Sequence, residues 1–189
     1  MKFCIEDAAA ADLEALAGLL HELFTQETEF SPDRDKQLRA LAMFIDEPSL
    51  GRLFVARDLA HGPIIGMASL QFEISTALGG RAARVEDIVV TASQRGRGIG
   101  KQLLQHLIAF ARDEGLLRLS LLTDHDNLTA QALYARFGFI RSPMIPMRLV
   151  LDTGSAKPRN PLPLDACHYP HLFEKCVGIG CKRQGAMLT

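Results

Sequence analysis

The sequence contains no tryptophan and only two tyrosines, and its charge is almost balanced. Proteins that bind single-stranded nucleic acids stack the bases on aromatic side chains, and general nucleic-acid binders are usually basic. Here 21 Lys and Arg residues face 22 Asp and Glu residues, which gives a formal net charge of -1. The composition therefore argues against a nucleic-acid partner.

Long apolar runs are also missing from the chain. No stretch approaches the roughly 20 apolar residues that a membrane-spanning helix needs. Near the N-terminus, Glu6, Asp7 and Asp12 interrupt any apolar segment that could serve as a secretory leader. These features predict a cytoplasmic protein without a membrane partner.

Cysteine is scarce, and three of the four cysteines lie within the last 25 residues. Cys167, His168, His171, Cys176 and Cys181 include the usual zinc ligands, but their spacing matches no paired C-x-x-C framework. We therefore expect no metal site. Residues 152–189 also hold four of the nine prolines and four of the fifteen glycines, which predicts a mobile tail after a domain of residues 1–151.

The spacing of apolar residues predicts one mixed α/β domain. Helical spacing is clearest over Gly98–Asp113, and turn signals at His61–Pro63 and Leu78–Gly80 separate the strands of a meander. The expected order is β-α-α-β-β-β-α-β-α-β, with the last strand in two pieces, Phe139–Ile140 and Met147–Leu151. This order predicts a mostly antiparallel mixed sheet with helices on both faces.

A glycine-rich turn joins a strand to the start of that clearest helix. It reads Arg95-Gly96-Arg97-Gly98-Ile99-Gly100-Lys101. A helix start offers free backbone N–H groups and a positive dipole end, and glycines let a phosphate approach them. The P-loop and dinucleotide-binding patterns both fail at this turn. The segment predicts a phosphate or pyrophosphate site, although a glycine-rich loop with arginines facing water would look the same.

A second motif favours the phosphate or pyrophosphate site over a glycine-rich loop that only faces water. Together the two segments resemble the GNAT superfamily of acyl-CoA-dependent N-acetyltransferases, over residues 1 to about 151. The turn matches the family's pyrophosphate loop, Q/R-x-x-G-x-G/A, at both glycines. The family's second motif, N-x-x-A-x-x-L-Y-x-x-x-G-F, is matched by Asn127, Ala130, Leu133, Tyr134, Gly138 and Phe139.

The resemblance implies that acetyl-CoA is the acyl donor and indicates how it would be held. The strand before the turn should carry a bulge and splay from strand 116–122, so that the pantetheine arm pairs with its exposed backbone. An N–H near Val89 or Val90 would then polarise the thioester carbonyl. The residues assigned to the donor are Ile88, Val89, Val90, Arg95, Gly96, Arg97, Gly98, Ile99, Gly100, Lys101 and Asn127.

The resemblance also implies catalytic roles. Glu86 matches the position of the general base, and Tyr134 the phenol that assists the departing CoA thiolate. Asp87 would bind a cationic acceptor, support the bulge or replace Glu86 as the base, as water also could, and Glu29 would attract a cationic acceptor. Simpler explanations stay open: solvent-facing acids on an edge-like strand, a tyrosine packed against Phe137, and an Asn127 that only caps its helix.

The sequence thus predicts an N-acetyltransferase that modifies a primary amine of a small molecule or peptide. The main alternative is a non-catalytic acyl-CoA-binding module, which would need neither Glu86 nor Tyr134. No motif identifies the acceptor, and a homodimer is compatible with the sequence.

Overall fold

The computed structural model describes residues 3–26, 31–58 and 62–151. Nine regular elements follow one another along these ranges, with short 3-10 turns at Ala10–Asp12 and Ala92–Gln94. The elements are β1 (Phe3–Asp7), α1 (Leu13–Phe24), α2 (Arg34–Asp46), β2 (Gly51–Asp58), β3 (Ile64–Ser75), β4 (Gly80–Val90), α3 (Ile99–Asp113), β5 (Leu119–Leu121) and α4 (Leu128–Arg136).

The strands form one sheet in the order β1-β2-β3-β4-β5. The first four strands pair antiparallel in sequence order, whereas β5 pairs parallel to β4. A parallel neighbour requires a crossover connection, and α3 supplies it. The predicted meander and the mostly antiparallel mixed sheet are confirmed.

Two apolar layers cover the two faces of the sheet. On one face, α1 and α2 pack through Leu16, Leu20 and Leu41 against Val55, Met67 and Val89. On the other face, α3 contributes its fully buried Leu103 and Leu107 to a second cluster. Full burial of one leucine contributes about 1.5–3 kcal/mol, so the apolar stripe of α3 is a main source of stability. Helices on both faces are therefore confirmed.

The helix ends follow local capping rules, with one exception. Asp33 caps α2 by accepting a hydrogen bond from the Lys36 N–H at 3.1 Å. Gly115 and Gly138 follow α3 and α4 with φ of 66° and 89°, the left-handed conformation that suits glycine. Asp12 precedes α1 but does not cap it, because its carboxylate accepts from the Ala9 N–H and from Arg57, each at 2.9 Å.

The predicted last strand is wrong. Phe139–Ile140 and Met147–Leu151 have no strand structure, and Ile140 and Met147 are exposed. A segment becomes a strand only where a neighbour completes its hydrogen bonds, and Pro143 and Pro146 remove two donors from this region.

The chain divides into two compact units after Arg141. The first unit contains the whole sheet and its helices. Among the described residues of the second unit, 142–151, there is neither helix nor strand. No helix in the described ranges is long and apolar enough to cross a membrane.

Candidate active site

A β-bulge interrupts the pairing of β3 with β4. Ala68 lies opposite Ile88 and Leu70 opposite Val85, so that Ser69 alone faces the two residues Glu86 and Asp87. The buried Ser69 hydroxyl accepts a hydrogen bond from the Asp87 N–H at 3.1 Å. This bond satisfies a backbone donor that the bulge removes from the ladder. The bulge that the resemblance implied is confirmed and lies at the two acidic residues.

The bulge also resets the alternation of side chains along β4. Val85 and Ile88 both pack against the cluster on the α3 face, although strict alternation would place residues three apart on opposite faces. Glu86 and Asp87 together therefore take the place that a single residue would have in a regular strand. Glu86 is exposed and Asp87 is half-buried.

β4 separates from β5 immediately after the start of the bulge. The two strands pair only from Ala83 with Leu119 to Val85 with Leu121, while β4 continues to Val90. In the described part of the chain, no strand pairs with residues 86–90 on this side. β4 and β5 thus part as predicted, which leaves one edge of the last five residues of β4 unpaired, and we call this open edge the cleft.

Backbone groups of β4 point into this cleft at alternate residues. The Thr91 N–H donates to the Ile65 carbonyl at 3.0 Å, which makes this pair hydrogen-bonded. By alternation, Val89 exchanges bonds with Met67, whereas the N–H and C=O groups of Ile88 and Val90 point away from β3. The pairing therefore favours the Val90 N–H over the Val89 N–H as the donor facing the cleft.

The glycine-rich turn follows β4 and leads into α3. Gly96 and Gly98 have φ of 75° and 78°, a conformation that other residues rarely adopt. The first hydrogen bond of the helix runs from the Gln102 N–H to the Gly98 carbonyl at 3.0 Å. The N–H groups of Ile99, Gly100 and Lys101 consequently have no acceptor within the helix. This turn presents three donors at the positive end of the α3 dipole.

The three cations near the turn have different surroundings. Arg95 donates through Nε to the Val90 carbonyl and through Nη1 to Gln26, each at 3.1 Å. Arg97 donates to the side-chain oxygen of Gln94, whereas Lys101 is exposed. The hydrogen bond from Arg95 thus stabilises the end of β4, and Arg97 and Lys101 add positive charge at the turn.

Glu86 has an ionic partner that sequence reasoning missed. Its Oε1 lies 3.0 Å from Nε of Arg84, two residues earlier on the same strand face. Arg84 also lies 3.5 Å from Glu73. The i, i+2 spacing of Arg84 and Glu86 could have predicted this ion pair, because residues at that spacing share a face of a strand.

The second motif places Tyr134 on α4 and Asn127 at its N-cap. Tyr134 is half-buried, and burial raises the pKa of its phenol. Its ring lies 5.9 Å from that of Phe139, with the two ring planes tilted by 60°. Asn127 caps α4 by accepting from the Ala130 N–H at 3.1 Å. Within the described ranges, no hydrogen bond links the Tyr134 hydroxyl to Glu86.

Some predicted residues lie outside the described ranges. Glu29, assigned to the acceptor, is one of them. The candidate zinc ligands of the tail, Cys167, His168, His171, Cys176 and Cys181, are the others.

Comparison with known proteins decides the family of this fold and site. The model of the Acetyltransferase (GNAT) family matches residues 14–139. The chain belongs to the GNAT family. The resemblance of the two sequence motifs is therefore confirmed, and family membership supports an acyltransferase.

Curated relatives of this GNAT chain include acetyltransferases whose names specify an acceptor. It is 37% identical over 89 residues to a glucosamine 6-phosphate N-acetyltransferase of Trypanosoma brucei brucei. The matched region covers 45% of this chain and 58% of the relative. It is 30% identical over 151 residues to an L-methionine sulfoximine/L-methionine sulfone acetyltransferase of Pseudomonas aeruginosa, covering 77% and 85%. A streptothricin acetyltransferase of Streptomyces lavendulae is 36% identical, with 49% and 47% covered. The chain thus spans about half the length of two of these relatives.

Solved structures agree with the GNAT fold. A Trypanosoma brucei acetyltransferase superposes with a TM-score of 0.63 at 28% identity, covering 79% of this chain and all of the other. A possible acetyltransferase from Clostridium difficile gives a TM-score of 0.70 at 16% identity, covering 80% and 99%. At that identity the second comparison supports the fold alone.

Proposed function

We propose that this GNAT chain transfers an acetyl group from acetyl-CoA to a primary amine of a small molecule. The observation that carries the proposal is the continuous path from the splayed part of β4 into the glycine-rich turn. Along this path, backbone groups that suit the pantetheine arm precede N–H donors that suit the pyrophosphate. Acetyl-CoA supplies a thioester that an amine can attack.

The residues of this path fit such a donor. The N–H and C=O groups of Ile88 and the N–H group of Val90 face the cleft, as an added strand requires, whereas the Val90 carbonyl accepts from Arg95. Further along the chain, Ile99, Gly100 and Lys101 present N–H groups suited to an anion. The Val90 N–H is the candidate donor to the thioester carbonyl, which would stabilise the charge that develops on that oxygen.

Glu86 and Asp87 are the candidate bases. An aliphatic amine has a pKa near that of lysine, about 10.4, so it is mostly protonated at pH 7 and must lose a proton before it attacks. Both acids lie at the point where the cleft opens. Glu86 is the more exposed of the two, and its contact with Arg84 holds the carboxylate in place. We assign Glu86 as the base, acting directly or through water, and Asp87 as the second candidate.

Tyr134 is the candidate proton donor to the CoA sulfur. A phenol with the ordinary tyrosine pKa of about 10 is already protonated in the neutral range, and burial raises the pKa of Tyr134 further. A protonated phenol can donate to a departing thiolate, whereas a phenolate cannot. A donor that stays protonated at neutral pH is what the leaving thiolate needs.

The acceptor is proposed from the relatives. Their names specify glucosamine 6-phosphate, L-methionine sulfoximine or sulfone, and streptothricin; the first is an amino sugar phosphate and the second an amino acid derivative, and both are small molecules with an amine. A small-molecule amine is therefore favoured over the peptide amine that the sequence also allowed.

Thiol release from acetyl-CoA tests the proposal. Glucosamine 6-phosphate, L-methionine sulfoximine and an N-terminally free peptide should be compared, together with calorimetry of CoA binding. Turnover with a small amine supports the proposal. CoA binding without turnover across a broad amine panel would favour the non-catalytic acyl-CoA-binding module. Failure to bind CoA would refute the donor site.

A further inference from the structure

The C-terminal end of α1, together with Gln26 just beyond it, binds the connection between β4 and the glycine-rich turn. One carboxylate oxygen of Glu22 accepts from the Thr91 hydroxyl at 3.1 Å. The other accepts from the Ala92 N–H at 3.2 Å. Gln26 accepts from Nη1 of Arg95 at 3.1 Å. We call Glu22 and Gln26 the α1 anchor.

The position of Glu22 is electrostatically unfavourable for a GNAT donor site. A carboxylate near the C-terminus of a helix faces the negative end of the helix dipole. A negative charge near an anion-binding turn also opposes binding of a pyrophosphate. The two hydrogen bonds to the connection offset this electrostatic cost.

The strand itself is held without the anchor. β4 pairs with β3 up to Val90, and the Thr91 N–H donates to the Ile65 carbonyl at 3.0 Å. Beyond Thr91, the connection leaves the sheet and runs through the 3-10 turn Ala92–Gln94. The anchor therefore acts on the glycine-rich turn more than on the strand.

We propose that Glu22 and Gln26 are positioning residues for the acyl donor, an inference that rests on the proposed function. By fixing Thr91, Ala92 and Arg95, they set the distance and direction from the cleft-facing N–H group of Val90 to the N–H donors at the start of α3. One donor molecule must reach both ends. Its pantetheine arm lies along β4, and its pyrophosphate lies at the turn.

Two donors that differ in the pyrophosphate test this role. Glu22→Ala should raise KM for acetyl-CoA and Kd for CoA about 10-fold, with kcat changed less, because the released connection must then be ordered when the donor binds, at a cost of about one hydrogen bond to a charged group. S-acetylpantetheine lacks the pyrophosphate, so its kcat/KM should stay within about twofold of wild type. Glu22→Gln keeps one acceptor oxygen and should lie between wild type and Glu22→Ala.

Glu14→Ala is the matched control. Glu14 lies on the same helix and carries the same charge, but it is exposed and pairs with Arg34. This variant should keep the wild-type constants for both donors. Thermal denaturation of all variants identifies any that fail to fold, and Gln26→Ala then provides an independent variant of the anchor.

Two outcomes would overturn the inference. Equal losses with both donors would mean general damage to the site. A lower KM for acetyl-CoA in both Glu22 variants would mean that Glu22 acts only through repulsion. If wild type binds CoA but transfers no acetyl group, the proposed function fails, while the effect of Glu22→Ala on Kd for CoA still decides the role of the anchor.

Discussion

Gly100→Ala separates binding of the pyrophosphate from stability of the fold. Gly100 is the second residue of α3, and a Cβ built on it meets only Cγ2 of Val90, at an ordinary contact distance of 3.7 Å. Alanine also favours helix over glycine by up to about 1 kcal/mol. The variant should therefore fold at least as stably as wild type. Gly98 is a poorer test, because its φ of 78° would strain any side chain.

The expected effect on binding follows from the direction of the added methyl group. A Cβ in an α-helix leans towards the N-terminus of the helix. At Gly100 the added methyl group would therefore lie at the same end of α3 as the free N–H groups. A phosphate kept from one N–H loses a hydrogen bond to a charged group, about 1.5–3 kcal/mol. The dissociation constant of CoA should therefore rise about 10- to 100-fold for each bond lost.

Calorimetry with CoA measures this change, and thermal denaturation measures stability beside it. Gly18→Ala is the matched control, because Gly18 lies within α1 and a Cβ there meets nothing within 4 Å. It should change CoA affinity little. A Gly100→Ala variant that folds normally and binds CoA as tightly as wild type would refute the assignment of the pyrophosphate to this turn.

Three further substitutions test the remaining roles. Tyr134→Phe should lower kcat about 100-fold or more with CoA affinity retained. Because burial raises the pKa of Tyr134, wild-type activity should persist past pH ~10 before falling, and the variant should lack that limb; an unchanged kcat would leave packing as its role. Glu86→Gln should lose the rising limb of the pH–rate profile with a strongly basic amine. If that variant, Asp87→Asn and the double variant all keep the wild-type profile, neither acid is the base. Ser69→Ala should lower the free energy of unfolding by about 1–3 kcal/mol in urea denaturation, because the Asp87 N–H loses its partner. Ser120→Ala, which loses only a 3.5 Å bond to the Ala83 carbonyl, is its control, and equal losses would contradict a special role for Ser69.

The sequence by itself determined the local features of this protein. The Asp33 cap, the glycines that end α3 and α4, and the left-handed glycines of the turn depend on residues within a few positions of one another. Helical spacing likewise predicted α3, whose apolar residues Ile99, Leu103 and Leu107 are buried. These features could be predicted because the backbone conformation of one residue and its near neighbours decides them.

The tertiary structure decided the features that join distant residues. The bulge at Glu86 and Asp87 forms opposite Ser69, eighteen residues from Asp87 along the chain. The bonds of Glu22 span 69 and 70 residues. The predicted last strand was wrong for the same reason: the sequence of an apolar extended segment does not determine which strand it would pair with. Such features depend on which elements pack together, and a pattern along one segment contains no information about its partner.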